Sequence, residues 1–160
     1  MGVDQDMTVW FDADIDAVRP VEPLQSQPGM RSIVTDGLRI VREFMPAGVL
    51  IEINGFQMWA AQAMLRIGTH KGMQVPLYTV NHSEPKPQRI KAAWDSLLAQ
   101  RRVRIRNTPG GRQLVQMLRQ FKTKPDPGVH DDGPDAGAAC VELYNHLVYG
   151  DGGGIEVLRA

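Results

Sequence analysis

Short segments rich in β-branched and aromatic residues alternate with longer amphipathic segments, and this order restricts the fold more than any other feature of the chain. The first kind of segment predicts strands over residues 7–14, 49–53, 77–80 and 103–107. Apolar residues at helical spacing predict helices over residues 32–44, 56–71, 86–100, 114–121 and 134–148. Strands that alternate with helices indicate an α/β protein with a mostly parallel sheet.

The size and composition of the chain exclude several classes of protein. Its 160 residues predict one domain over 1–150, followed by a flexible, glycine-rich tail over 151–160. The single cysteine, Cys140, excludes a disulfide within the chain and lies on an apolar helix stripe, which favours a core position. No apolar run approaches the roughly 20 residues of a membrane helix, and the N-terminus does not resemble a signal peptide. We therefore expect a soluble, cytoplasmic protein with no membrane partner.

The formal net charge is zero, but the charges are unevenly distributed. Residues 61–124 carry thirteen basic and two acidic residues. Residues 1–60 carry nine acidic and four basic residues, and residues 125–160 carry seven acidic and one basic. A basic region of this kind favours a polyanionic partner, with solvated helix faces as the alternative interpretation.

Glu52 is the first candidate site residue, because it lies within the apolar segment VLIEI. A buried carboxylate needs a cation or a hydrogen-bond partner. In open α/β sheets the carboxyl ends of the strands face the ligand crevice, and Glu52 lies one residue before its predicted strand ends. Asn54 follows in the predicted turn. The alternative is a glutamate that faces solvent at a sheet edge.

A second candidate site is the segment HDDGPDA at residues 130–136, where Asp131, Asp132 and Asp135 precede or open a predicted helix. Helix capping explains one or two of these carboxylates. Closely placed carboxylates repel one another unless a cation lies between them. Ligands that are all oxygens suit Mg²⁺ or Mn²⁺ better than zinc.

The segments IEINGFQ (51–57), PKPQRIKAAWDSLLAQRRVRI (85–105) and HDDGPDAGAACVEL (130–143) follow one another in this order. In sequence, order and spacing they resemble segments of the nuclease domain of phage large terminase subunits. The resemblance covers roughly residues 49–148. It implies a ribonuclease H-like fold, in which a mixed central sheet has helices on both faces and three acidic positions surround two metal ions.

The resemblance also assigns functional residues. It implies catalytic roles for Glu52, Asp131 and Asp132, and a two-metal site for Mg²⁺ or Mn²⁺ that Asp135 helps to form. Asn54 and His130 are implied auxiliary residues. Residues 7–19 are similar to the second strand of that fold. This implies a C-terminal fragment without the first strand, its aspartate and the packaging ATPase domain, with Asp4, Asp12 and Asp14 as candidate replacements for that aspartate.

The implied function is metal-dependent endonuclease cleavage of double-stranded DNA during genome packaging, in a phage-infected or lysogenic bacterial host. Other terminase subunits or the portal are the implied protein partners. The basic residues expected to bind phosphates are Lys86, Arg89, Lys91, Arg101, Arg102, Arg104 and Arg106. One alternative is a non-catalytic remnant that binds DNA or a packaging partner. Another is a different ribonuclease H-like nuclease, such as a junction resolvase.

Overall fold

A computed structural model describes residues 1–15, 32–53, 57–122, 131–150 and 154–159. Its helices are α1 (Ile33–Phe44), α2 (Gln57–His70), α3 (Lys86–Ala99), α4 (Pro109–Gln120) and α5 (Asp132–Tyr149). Its strands are β1 (Gly2–Val3), β2 (Val9–Phe11), β3 (Val49–Glu52), β4 (Leu77–Val80), β5 (Val103–Ile105) and β6 (Ile155–Val157). The predicted α/β class is confirmed, and β1 and β6 are additions to the predicted elements.

The described strands form two three-stranded sheets, where the sequence predicts one central sheet. In the first sheet, β2 pairs antiparallel with β1 and parallel with β5. In the second, β4 pairs parallel with β3 and antiparallel with β6. The chain divides into unit 1, which comprises Met1–Asp16 and His82–Asn145, and unit 2, which comprises Ala17–Asn81 and His146–Ala160. Each unit therefore contains one mixed sheet and has its own core.

The core of unit 1 lies against one face of β2. Its buried residues come from β2 and the three helices α3, α4 and α5, and they are Val9, Phe11, Ile90, Trp94, Leu114 and Ala138. Trp10, between the two buried residues of β2, is 50% exposed. Alternate side chains of a strand point to opposite faces, so among the described residues the helices of this core lie on the face of β2 that carries Val9 and Phe11.

Asp4 organises the hairpin that joins β1 to β2. Its Oδ1 accepts hydrogen bonds from the backbone N–H groups of Asp6 at 3.1 Å and Thr8 at 2.8 Å, and its Oδ2 accepts one from Nε1 of Trp10 at 2.9 Å. The bond from Trp10, followed by that from Thr8, holds the pKa of Asp4 below its ordinary value. These contacts give Asp4 a structural role in the hairpin, and its role as a replacement for the first aspartate stays a prediction.

Unit 2 has a core built from α1, α2 and β4. Ser32 caps α1 in a capping box with Thr35, in which each backbone N–H donates to the other residue's hydroxyl. The buried α1 residues recur at helical spacing, as the sequence predicts. The buried residues of this core are Val34, Leu38, Val41, Ala61, Ala63, Met64, Leu65 and Leu77.

The end of the chain differs from the flexible tail predicted over 151–160. Ile155–Val157 form β6, in which Ile155 is opposite Val80 and Val157 is opposite Tyr78. Gly154 precedes the strand with a φ of 80°, a conformation that glycine adopts without strain. Ile155 is buried, so an apolar contact holds the strand in place as well as its ladder of hydrogen bonds.

The longest described helix is α5, with 18 residues. Small residues are prominent on its buried side, which lets it approach neighbouring elements closely. Cys140 packs partly against the unit 1 core, in agreement with its predicted core position. None of the helices in the described ranges is both long enough and apolar enough to cross a membrane.

Candidate functional site

The three aspartates of the HDDGPDA segment are gathered at the start of α5. Asp131 directly precedes the helix, and its carbonyl oxygen accepts a hydrogen bond from the N–H of Asp135 at 2.9 Å. Asp132 and Asp135 lie in the first turn, where the helix dipole favours negative charge. The side chain of Asp132 is 79% exposed, whereas that of Asp135 is 14% exposed. The three aspartates thus range from the solvent-exposed Asp132 to the largely buried Asp135.

Lys86, the first residue of α3, brings its ammonium to all three aspartates. Its Nζ lies 2.7 Å from Oδ1 of Asp131, 3.1 Å from Oδ2 of Asp135 and 4.0 Å from Oδ1 of Asp132. Burial alone would lower the pKa of Lys86, but hydrogen bonds and charge attraction from Asp131 and Asp135 outweigh that effect and raise it. The ammonium is therefore held in its charged form by the carboxylates.

Arg89 lies one turn further along α3 and is 5% exposed. Its Nη2 donates to Oδ1 of Asp135 at 2.6 Å. Its Nη1 lies 3.6 Å from Oε1 of Glu142, which is two turns beyond Asp135 on α5. The ion pairs between α3 and α5 thus form a network that begins at the helix ends and reaches the interior of unit 1.

Glu142 and His82 belong to this network, and the sequence did not predict either as a site residue. Nε2 of His82 lies 3.5 Å from Oε2 of Glu142. Burial, the largest cause, raises the pKa of Glu142, while attraction from His82 and Arg89 opposes the increase. Glu142 could have been identified from its spacing in the sequence, because it lies seven residues after Asp135 and so falls on the same face of a helix. The side chains of Asp131, Asp132, Asp135 and Glu142 are called the acidic cluster below.

Close packing between α3 and α5 holds the acidic cluster in place. Nε1 of Trp94 donates to the carbonyl oxygen of Pro134 at 2.8 Å. A Cβ atom at Gly137 would lie 2.2 Å from Cζ2 of Trp94, so the indole ring needs a glycine at this position. The glycine-rich motif GPDAG thus serves the packing of the helix that carries Asp135, in addition to any part in chemistry.

The acidic cluster has the right chemistry for Mg²⁺ or Mn²⁺ but is partly neutralised by the protein. All its donors are carboxylate oxygens, which these ions prefer. Its four carboxylates contact two permanent cations, Lys86 and Arg89, so two negative charges are in excess when all four are ionised. Within the described ranges, no three Asp, Glu, His or Cys side chains form a group that could hold a metal ion.

Glu52 lies in unit 2, at the end of β3 and opposite Val80 of β4. Its position at the carboxyl end of a parallel strand agrees with the sequence prediction, and its side chain is half-buried. Asp131, Asp132 and Asp135 lie in unit 1. Their approach to Glu52 around shared ions stays a prediction. Asn54 and His130, the predicted auxiliary residues, lie outside the described part of the chain.

The predicted phosphate-binding residues fall into two groups. Arg104 and Arg106 are exposed on and just after β5, and Val103 and Ile105 are more buried, as the alternating pattern predicts. Arg106 is 68% exposed and pairs with Asp12 at 2.9 Å. Arg101 is exposed as well, in the turn before β5. These three arginines are accessible to a partner of unit 1.

The other predicted phosphate ligands are engaged within the protein. Arg89 is buried and paired with Asp135, so its placement differs from the surface contact predicted for it. Lys86 is shared among the aspartates. Lys91 pairs with Asp95 on the surface of α3. Arg102 donates from Nε to the carbonyl oxygen of Met7 at 2.9 Å, which joins the β1–β2 hairpin to β5.

Comparisons of the chain with protein-family models, curated proteins and solved structures find no match. The functional argument therefore rests on the sequence motifs, the acidic cluster and the distribution of basic side chains.

Proposed function

We propose that this chain is a metal-dependent endonuclease domain of the phage large-terminase type, with a ribonuclease H-like fold. In this proposal it cuts double-stranded DNA in the cytoplasm of an infected or lysogenic bacterial host, in contact with other terminase or portal subunits. Glu52, Asp131 and Asp132 are its catalytic carboxylates, and Asp135 assists them in holding Mg²⁺ or Mn²⁺.

The observation that carries the proposal is the position of the Lys86 ammonium. A single positive charge lies within 4.0 Å of Asp131, Asp132 and Asp135. The carboxylate of Asp131, before α5, and those of Asp132 and Asp135, in its first turn, therefore surround one position where a cation is stabilised. The excess negative charge of the acidic cluster favours the binding of a further cation from solvent.

Asp131, Asp132 and Asp135 would hold the metal, together with Glu52 from β3. When bound, two such ions supply an activated water and stabilise charge on the leaving oxygen of a phosphodiester. Arg89 orients Asp135 through its 2.6 Å hydrogen bond. Lys86 balances the charge of the aspartates, and its ammonium is close enough to the proposed site to attract a phosphate.

A supercoiled-plasmid nicking assay with Mn²⁺ or Mg²⁺ tests this function. Nicking should stop when a chelator is added. The nicking rate should fall by about 100-fold or more in Glu52→Ala and in Asp131→Ala. Even the loss of a residue that only hydrogen-bonds to a metal ligand typically lowers activity by about 10–100-fold. Asp95→Ala is the matched control, because it removes an exposed carboxylate of α3 that pairs only with Lys91 among the described contacts. Cutting that survives both site substitutions would show that the site is placed wrongly.

The neutralisation of the acidic cluster by Lys86 and Arg89 favours a second candidate function, a non-catalytic domain that binds DNA or a packaging partner. In that case the carboxylates stabilise the fold and hold no metal. The chain would then bind duplex DNA equally well with and without divalent ions, and no plasmid would be nicked under any metal condition.

A further inference from the structure

An open groove of about 590 Å³ lies between the end of β5 and α4 in unit 1. Its charged residues are Arg106, Arg112 and Arg119, and it also contains the polar residues Asn107 and Gln116. Among the described residues that line it, none is a carboxylate. The three arginines are exposed, and Arg112 and Arg119 are not among the residues that the sequence motifs point to.

The arrangement of the arginines on α4 suits an extended anion. The helix has no acidic residue between Pro109 and Gln120, so nothing on it offsets Arg112 and Arg119. These two residues are seven positions apart, which is two helical turns and about 10 Å along the axis. Three nucleotide steps of one B-DNA strand cover about the same axial distance. Gln116 lies between them on the same face and adds a neutral hydrogen-bond donor.

The hydrogen bonds that these arginines already make leave donors for a ligand. Nη1 of Arg112 donates to Oδ1 of Asn107 at 3.0 Å, and Nη1 of Arg106 donates to Oδ2 of Asp12 at 2.9 Å. A guanidinium has five N–H donors in a planar fork, which suits bidentate contact with phosphate. Each of these two guanidinium groups therefore keeps most of its donors available for a ligand.

We propose that this groove binds the phosphate backbone of duplex DNA, with Arg112 and Arg119 each neutralising a phosphate and Arg106 contributing at its β5 end. The inference deepens the proposed nuclease function by adding a substrate-binding surface on α4. The contacts are to phosphates and not to base edges, so the groove positions DNA without reading its sequence.

Fluorescence anisotropy with a labelled DNA duplex tests the groove, with chelator present so that no cleavage occurs. In Arg112→Gln/Arg119→Gln, the slope of log affinity against log salt should become shallower by about 1.8. Between about 50 and 200 mM salt, the wild-type protein should then lose about tenfold more affinity than this variant. Arg112→Lys/Arg119→Lys should keep the wild-type slope, because the charges are retained. Arg39→Gln/Arg42→Gln, which removes two basic residues from α1, should also keep it.

Two results would overturn the assignment. The first is a salt slope in Arg112→Gln/Arg119→Gln that equals the wild-type slope. The second is displacement of the duplex by tripolyphosphate at an equal or lower phosphate concentration, which would identify the groove as a site for free oligophosphates. The nicking assay is independent of both. If the wild type nicks plasmid with metal but Arg112→Gln/Arg119→Gln keeps the wild-type salt slope, only the DNA-binding role of the groove is refuted. If the variant has a shallower slope but the wild type does not nick plasmid, only the nuclease function is refuted.

Discussion

Nη2 of Arg89 lies 2.6 Å from Oδ1 of Asp135, although 46 positions of sequence separate the two residues. The two side chains are 5% and 14% exposed, so the ion pair joins α3 to α5 with little access to water. Loss of either partner removes the shortest ion-pair contact of a poorly solvated charge, while Asp135 keeps Lys86 and Arg89 keeps Glu142 as further partners. This ion pair, which includes one residue of the acidic cluster, therefore helps to stabilise unit 1.

Arg89→Ala should reduce the free energy of unfolding by about 3 to 5 kcal/mol, because it removes the guanidinium that two partly buried carboxylates, Asp135 and Glu142, share. Urea unfolding followed by circular dichroism measures the change. Arg39→Ala is the control, since it removes one partner of an ion pair with Glu43 in which both side chains are 54% exposed. The control should lose less than about 1 kcal/mol. Equal small losses in both variants would refute the structural importance of the buried pair.

Glu142 should make the protein less stable as pH rises above the ordinary glutamate value of 4.5. Its pKa is raised in the folded state, mainly by burial, so in this pH window the folded protein binds more protons than the unfolded chain. Stability therefore decreases with rising pH until the folded-state pKa is passed. Glu142→Gln removes this titration, so the stability of the wild type relative to the variant should fall as the pH rises above about 4.5. A relative stability that is flat or rising over that range would contradict the prediction.

Gly137→Ala should destabilise the protein by about 1 to 3 kcal/mol, because the added methyl group collides with the ring of Trp94. The change also adds helix propensity worth about 1 kcal/mol, so a net loss demonstrates the steric conflict. Thermal unfolding measures it, with Trp94 fluorescence as a local report. Gly2→Ala is the control, since no atom lies within 4 Å of its added Cβ. A more stable Gly137→Ala variant would show that α3 and α5 are less closely packed than described.

If the proposed nuclease function is correct, plasmid nicking should be weak and should be faster with Mn²⁺ than with Mg²⁺. Mg²⁺ requires near-ideal octahedral geometry and loses its waters reluctantly, whereas the proposed ligands are Glu52 and three aspartates that already contact Lys86. Initial nicking rates at equal concentrations of the two ions provide the measurement. Rapid cutting with Mg²⁺ would mean that another carboxylate, such as Asp12 or Asp14, completes the site.

Local patterns predicted the elements whose ends are marked by neighbouring residues. The predicted strand over 77–80 coincides with Leu77–Val80, because an apolar run bounded by Pro76 and Asn81 leaves little choice of limits. The helix predicted over 32–44 is observed as Ile33–Phe44, with Ser32 as its cap. In both cases propensity, burial pattern and end signals agree, so tertiary contacts do not shift the boundaries.

Contacts between distant positions explain where the sequence was misleading. Arg89 belongs to the basic region of the sequence and was therefore predicted to bind phosphate. Its burial depends on Asp135 and Glu142, which are far away in the chain and recognisable as partners only once α3 and α5 are paired. The division of the strands between two sheets is a similar case, because hydrogen-bond partners cannot be read from the periodicity of single strands.

β6 gives the last residues of the chain a protective function. β4 is flanked by β3 on one side and β6 on the other, so its backbone N–H and C=O groups are paired on both edges. Removal of residues 151–160 would turn β4 into an open edge with an apolar run of Leu77, Tyr78, Thr79 and Val80. Such an edge is a template for pairing with a strand of another molecule. We therefore expect β6 to protect unit 2 against self-association.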